Sequence, residues 1–154
     1  KEILRELPGH IAYIEADFLW EDLSGMGKKL QVNGYETDKP GVFVMEGLVG
    51  YLNAEAVDRL LRFIASFTGS GSSLIFDYTN VQKTTERFAD LLEKLEESGE
   101  RRNFGFDPNR LPEYLMERGY REVVNVSTDD LVGRYCPGRL KPSQTYYLAT
   151  AVVC

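Results

Sequence analysis

The sequence is poor in the residues that metal and catalytic centres use most often. Its 154 residues include one His and two Cys. Cys136 and Cys154 match no zinc spacing, and two thiols in a chain of this size are typical of reduced bystanders. No apolar run approaches the ~20 residues that a membrane span needs. These absences disfavour a zinc site, a disulfide miniprotein and a membrane protein, and we expect a cytosolic protein.

Positive charge is also scarce. Lys and Arg number 18 against 24 Asp and Glu, which gives a formal net charge of −6, and the basic residues are scattered along the chain. A protein that binds nucleic acid or an anionic membrane normally shows the opposite sign in at least one patch. We therefore expect neither of them as a partner.

Apolar runs of strand length alternate with segments of helical period, a pattern typical of an α/β structure around a mostly parallel sheet. No linker divides the chain, so we expect one domain over residues 1–154. The predicted strands are 10–16, 41–45, 73–76, 122–126 and 145–153. The predicted helical segments are 1–7, 20–30, 53–67, 87–98, a helix opened by Asp107-Pro108, and 128–135.

Acidic residues follow the first three predicted strands, as Asp17-Phe18, Glu46-Gly47 and Asp77-Tyr78. If these strands are parallel, the three carboxylates lie at the edge of the sheet where ligands of open α/β folds bind. A structural reading stays open for each acid, because Asp and Glu also flank strands as soluble, turn-compatible residues.

Carboxylates at that edge suit a cationic ligand better than a phosphate-rich one. A nucleotide phosphate needs backbone N–H groups of a Gly-rich loop after a strand. The Gly-rich stretch 69–72 precedes its strand instead, which indicates a plain turn. S-adenosylmethionine offers ammonium, sulfonium, amine and hydroxyl groups, which need acceptors when they are desolvated.

Three stretches resemble successive landmarks of one family: residues 13–18, residues 41–52, and residues 104–108 with 117–120. The Glu46-Gly47 pair followed by Tyr51-Leu52 is the most specific. On these residues the chain resembles the leucine carboxyl methyltransferase-like family of class I S-adenosylmethionine-dependent O-methyltransferases. The resemblance runs from about residue 10 to the end.

The resemblance implies roles for the residues around the cofactor. Asp17 would accept from the adenine amino group, and Phe18 would flank the base. Glu46 would lie near the methionine part, and Gly47 would allow close approach of the backbone. Tyr51 would be the catalytic residue that faces the transferred methyl group. Ordinary core packing remains open for Phe18 and Tyr51.

The resemblance also implies an acceptor pocket, which Asp77 and Tyr78 would border. The methyl acceptor would be a carboxylate or hydroxyl of a small molecule or of a peptide C-terminus. A carboxylate acceptor needs no general base, whereas a hydroxyl usually does.

One departure from the family pattern concerns the cofactor directly. The family carries a Gly-x-Gly-x-Asp-Thr-Arg turn after its first strand and a ribose-binding acid after its second, and nothing here resembles either. We therefore expect a Rossmann-like class I sheet with an antiparallel C-terminal strand and without its first two strands. Such a partial methyltransferase domain would bind the cofactor weakly or not at all, and its exposed strand edge would favour self-association.

Two further classes of protein stay open. One is a noncatalytic remnant or interaction module that keeps the second half of the fold, which the missing Gly-rich turn favours. The other is a different α/β enzyme such as a hydrolase. The sequence lacks a Ser nucleophile elbow and a well-placed His, which counts against the hydrolase.

Overall fold

The computed structural model describes residues 8–19, 23–81, 104–138 and 145–154. The helices predicted over 1–7 and 87–98 lie outside these ranges. The elements in chain order are α1 (Ser24–Val32), β1 (Val42–Met45), a short 3-10 helix (Val49–Tyr51), α2 (Ala54–Phe67), β2 (Ser73–Thr79), α3 (Leu111–Met116), β3 (Tyr120–Ser127), α4 (Thr128–Tyr135) and β4 (Tyr146–Val153). Within these ranges, no helix is long and apolar enough to cross a membrane.

The strands form one sheet in the order β1-β2-β4-β3. β1 and β2 are parallel, with Met45 opposite Phe76. β4 runs antiparallel to both β2 and β3, so three strands share one direction and the C-terminal strand opposes them. The expected α/β architecture, mostly parallel with an antiparallel C-terminal strand, is confirmed for the described strands.

α2 follows the local signals of its sequence. The Oδ1 of Asn53 accepts a hydrogen bond from the backbone N–H of Ala56 at 2.8 Å, which caps the first turn. Glu55 in that turn complements the helix dipole. The apolar stripe of the helix is buried and consists of Ala56, Val57, Leu60, Leu61 and Ile64. The prediction of a helix from Asn53 to about Phe67 is confirmed.

The two faces of the sheet differ in burial. The covered face packs in one core with α2 and α3, and its side chains are at most 2% exposed: Leu74, Phe76, Tyr78, Ala149, Ala151 and Val153. The Tyr120 hydroxyl donates to the Leu61 carbonyl at 2.7 Å and ties β3 to α2. The open face carries Val42, Val44, Ile75, Leu148 and Val124, of which Val42, Val44 and Val124 are more than half exposed.

The strand predicted over residues 10–16 is wrong. These residues are extended, yet they belong to no strand. Ile14, Ala16 and Phe18 pack against the core in strand-like alternation, which explains the misleading pattern. A strand needs a hydrogen-bonded neighbour, and among the described residues none pairs with this segment.

Side chains of two helices hold this extended segment instead. The Lys29 ammonium of α1 donates to the Glu15 carbonyl at 3.0 Å. The Arg59 guanidinium of α2 donates to the Leu19 carbonyl at 3.2 Å. The segment therefore keeps a defined course past the helices without joining the sheet.

Two strands differ in detail from their predictions. The pattern of β1 predicts a central strand that is buried on both faces, but Val42 is 68% and Val44 63% exposed. In the described part of the chain, β1 is an edge strand with β2 as its one neighbour. β2 continues to Thr79, beyond the predicted end at Phe76, because Asp77 pairs with Leu148 of β4.

The C-terminal elements agree with their predictions within a few residues. Asp107 and Pro108 form the turn before α3, which begins at Leu111 and buries Leu111 and Leu115. Gly119 adopts a φ of 89°, a left-handed conformation that ends this segment before β3. α4 has the predicted bounds.

Candidate functional site

The candidate site begins where β1 and β2 lie side by side. Glu46 and Gly47 directly follow β1, and Asp77 follows Phe76, the partner of Met45. The Gly47 backbone N–H donates to Oδ1 of Asp77 at 2.6 Å. The first turn after β1 is therefore bonded to a side chain of the neighbouring strand.

A cleft of about 400 Å³ opens at this place, which we call the strand-end cleft. Its lining combines two acids with apolar side chains and consists of Val44, Met45, Glu46, Gly47, Ile75, Phe76, Asp77 and Leu148. Glu46 is exposed and Asp77 is half-buried. The cleft therefore presents carboxylate acceptors beside an apolar wall.

A second cleft of about 410 Å³, the loop cleft, lies between the extended N-terminal segment and the 3-10 helix. Its lining is Glu15, Ala16, Asp17, Phe18, Leu19, Tyr51 and Leu52. Asp17 is exposed, and its Oδ1 accepts from the Leu19 N–H at 3.0 Å. The structure thus brings together Asp17, Phe18 and Tyr51, three residues that the sequence assigns to one site.

The predicted acids do not converge on a single point. Glu46 and Asp77 share the strand-end cleft, whereas Asp17 lies in the loop cleft. Residues 46–52 connect the two clefts along the chain. Within the described residues, no group of three His, Cys, Asp or Glu side chains could hold a metal ion.

Tyr78 lies in the core and not on a cleft. Its side chain is 1% exposed, and its hydroxyl donates to Oδ1 of Asn125 at 2.7 Å. The rings of Phe106 and Tyr147 lie 5.5 Å away, and burial raises the pKa of the phenol. Because side chains alternate along β2, Asp77 and Tyr78 face opposite ways. Of this pair, only Asp77 lines a cleft.

The turn in which Gly47 lies requires a glycine. The resemblance implies close approach of its backbone to the cofactor, which stays a prediction; a Cβ built there would meet none of the described protein atoms within 4 Å. Its φ of 63° lies in the left-handed region, which disfavours other residues by about 1–2 kcal/mol. The turn geometry therefore accounts for Gly47.

Sequence reasoning missed the apolar lining of both clefts. Ile75 and Leu148 join Asp77 in the strand-end cleft, and Leu19 and Leu52 join Asp17 in the loop cleft. The alternation of β2 puts Ile75 on the same side as Asp77, a signal that the sequence did contain. The pairing of Asp77 with Leu148 spans 71 positions and has no local signal.

The acceptors and apolar side chains at the clefts fit part of S-adenosylmethionine. Asp17 and Glu46 offer exposed carboxylates to amino and sulfonium groups, and Phe18 and Leu19 offer apolar surface to a purine ring. This set suits the adenine and the cationic end of the cofactor.

Comparison with known proteins agrees with this fit. The family model of leucine carboxyl methyltransferase matches residues 1–65. That segment contains Asp17, Phe18, Glu46, Gly47 and Tyr51. The further landmarks that the sequence suggested at 104–108 and 117–120 lie beyond it.

A named relative and two solved structures are similar to this chain. A Mycolicibacterium gilvum (strain PYR-GCK) protein named "Putative S-adenosyl-L-methionine-dependent methyltransferase" is 34% identical over 114 residues, which cover 66% of this chain and 36% of that protein. A DUF574 family protein of Streptomyces avermitilis superposes with a TM-score of 0.68 at 16% identity, covering 92% and 55% of the two chains. A SAM-dependent methyltransferase of Archaeoglobus fulgidus superposes with a TM-score of 0.53 at 14% identity, and the match covers 90% of this chain and 66% of that one.

The strand order and these neighbours define the fold as that of a class I S-adenosylmethionine-dependent methyltransferase. The family match and the named relatives confirm the resemblance to the leucine carboxyl methyltransferase family. The chain spans about a third of the length of the curated relatives it matches.

Proposed function

We propose that this chain carries part of the active site of an S-adenosylmethionine-dependent O-methyltransferase. The observation that supports the proposal most is the placement of the family-matched residues. Asp17, Phe18 and Tyr51 line one cleft, Glu46 and Gly47 line the other, and the connection 46–52 joins them.

Each residue has a role in this proposal. The cofactor, when bound, supplies an electrophilic methyl group. Asp17 accepts a hydrogen bond from the adenine amino group, and Phe18 flanks the base. Glu46 attracts the cationic end of the cofactor, and Tyr51 orients the acceptor toward the methyl group. In an in-line displacement of this kind the protein contributes mainly alignment and exclusion of water.

The acceptor in this proposal is a carboxylate or hydroxyl group of a small molecule or of a peptide C-terminus. The described lining of the two clefts contains no histidine that could act as a base. A carboxylate acceptor requires none, which favours the first of the two groups; a hydroxyl acceptor would need a base drawn from the Asp, Glu and Tyr side chains of the clefts. Asp77 borders the acceptor side of the strand-end cleft.

We further propose that this chain by itself binds the cofactor weakly. The sequence lacks the family's Gly-rich turn and the ribose-binding acid. The contacts of Asp17 and Glu46 therefore have to hold the cofactor without these partners. A few exposed charge contacts add little to affinity, because water and salt screen them.

Calorimetric titration tests the proposal. We expect weaker than micromolar binding of S-adenosylmethionine and S-adenosylhomocysteine, and further weakening in Glu46→Ala. The matched control is Glu113→Ala, which removes an exposed acid from α3. Micromolar binding by the wild-type chain would overturn the proposed defect. Tight binding of ATP instead would overturn the methyltransferase assignment.

The open face supports a second candidate, an interaction module that associates with a second copy of this chain. Val42 and Val44 are exposed on β1, which lies at the edge of the sheet formed by the described strands, and such edges pair readily with other chains. In sedimentation equilibrium we expect a dimer that Val44→Lys converts to a monomer. A wild-type chain that stays monomeric at high concentration would rule out this candidate.

A further inference from the structure

We propose that Asp77 is a positioning residue, which fixes the Glu46-Gly47 turn in the conformation that serves the cofactor. Its effect on cofactor binding would pass through this turn and not through direct contact with the cofactor. This inference rests on the proposed function for its consequence, but its structural part concerns the chain alone.

The two partners of the bond differ in how firmly the sheet holds them. Asp77 lies inside β2, which pairs with β1 on one side and with β4 on the other, and its own partner is Leu148. Glu46 and Gly47 lie beyond the end of β1. The sheet therefore fixes Asp77, and Asp77 in turn can hold Glu46 and Gly47, which lie beyond the hydrogen-bonded pairing of β1.

The Gly47 turn requires such support. Glycine reaches a φ of 63° without steric cost, but it populates many other conformations equally well. The Asp77 carboxylate accepts from the Gly47 N–H at 2.6 Å, and hydrogen bonds to a charged acceptor are short and strong. This bond selects one conformation and so sets the direction in which Glu46 leaves the strand.

A positioning role and a direct charge role make different demands on residue 77. Asn keeps an Oδ1 acceptor for the Gly47 N–H but carries no charge, whereas Ala keeps neither. Positioning therefore predicts that Asp77→Asn behaves much like the wild type. A direct contact between Asp77 and the sulfonium charge predicts that Asp77→Asn fails as Ala does, and that S-adenosylmethionine suffers more than the neutral S-adenosylhomocysteine.

The test combines amide NMR with calorimetry on the full chain. In ¹⁵N-labelled protein we expect the Gly47 N–H of Asp77→Ala to shift upfield and to exchange faster with solvent, while Asp77→Asn retains most of the wild-type behaviour. We expect the dissociation constant for S-adenosylhomocysteine to rise roughly tenfold in Asp77→Ala, the loss of one charge-assisted hydrogen bond. Glu113→Gln is the control for charge alone and should change neither value.

The outcomes separate the inference from the proposed function. A Gly47 amide that is unchanged in Asp77→Ala would overturn the inference. If Asp77→Ala does not fold, Asp77→Asn provides the test. A Gly47 N–H that loses its wild-type chemical shift and exchange rate in Asp77→Asn would then overturn the inference too. A wild-type chain that binds neither cofactor form even weakly would overturn the proposed function, while the Gly47 amide would still test the positioning.

Discussion

The two faces of the sheet carry different tasks. On the covered face, Leu74, Phe76 and Tyr78 of β2 are at most 1% exposed and pack in one core with α2 and α3. On the open face, the alternate residues Ile75 and Asp77 are half-buried and line the strand-end cleft. One strand thus supplies the core with Leu74, Phe76 and Tyr78 and the candidate site with Ile75 and Asp77.

The two faces separate the residues that stabilise the fold from those that line the clefts. Burial of apolar area is the dominant favourable contribution to folding, and here it is concentrated on the covered face. The clefts depend on a few polar contacts at the strand ends. Substitutions on the covered face should therefore reduce the free energy of unfolding, and substitutions at the clefts should change binding at nearly constant stability.

The largest expected contrast is between two neighbours on β2 with side chains of similar volume. We expect Leu74→Ala to lower the free energy of unfolding by about 2–5 kcal/mol, because Leu74 is fully buried and truncation leaves a cavity. Ile75→Ala on the open face should cost only about 1 kcal/mol. Urea denaturation of the two variants measures both values. Equal losses would contradict the contrast between the faces.

The next effect concerns the polar contact inside the covered face. Tyr78→Phe removes the hydroxyl that donates to Asn125. We expect a loss of about 1–2 kcal/mol, because Oδ1 of Asn125 loses its partner in a partly buried place. Asn125 still donates through Nδ2 to the Pro108 carbonyl at 2.9 Å, so the fold should survive. A thermal unfolding scan that shows no change in Tm would contradict this account.

A smaller effect concerns Asp58 of α2, whose carboxylate pairs with two arginines. Nε of Arg118 lies 2.6 Å from Oδ1 of Asp58, and Nε of Arg62 lies 2.9 Å from Oδ2. Burial of the carboxyl favours its neutral form, but the two guanidinium groups outweigh this effect and lower the pKa of Asp58. A lowered pKa in the folded state adds stability above the unfolded pKa, and this stability is lost as the pH falls through the folded value.

We therefore expect Asp58→Asn to reduce the free energy of unfolding by about 1 kcal/mol at pH 7, as for a partly exposed ion pair. The difference from the wild type should shrink below about pH 4, where the carboxyl of the unfolded chain is protonated. Urea unfolding at several pH values measures it. A difference that stays constant down to pH 2 would show that Asp58 acts through packing instead of charge.

The smallest effect is expected on the open face. Val44 is 63% exposed, so Val44→Thr should change the free energy of unfolding by at most about 0.5 kcal/mol. Urea unfolding at low protein concentration measures it. A loss of several kcal/mol would mean that this face is covered in solution.

The sequence predicts those elements whose signals are local. α2 has its cap, acidic first turn and apolar stripe within residues 53–67, and α4 has its Ser127 cap, whose Oγ accepts from the Asp130 N–H at 3.2 Å. β1 and β4 are predicted within one residue of their bounds, because their apolar runs end at polar or turn residues. For these elements, local pattern and tertiary packing agree.

The errors arise where pairing across the chain decides the outcome. Residues 10–16 have the alternation of a strand but no ladder partner among the described residues. β2 extends past Phe76 because β4, about seventy residues later, pairs with it. The bond between Gly47 and Asp77 likewise joins residues thirty positions apart. The candidate residues were therefore predictable by type, but their division between two clefts was not.

Chemical-shift mapping with S-adenosylhomocysteine tests whether the cofactor occupies the two clefts joined by residues 46–52. In ¹⁵N-labelled protein we expect concentration-dependent shifts concentrated at the amides of residues 15–19 and 46–52, with Glu113 on α3 unmoved. Shifts confined to other parts of the chain, or no shift up to the solubility limit of the ligand, would contradict it.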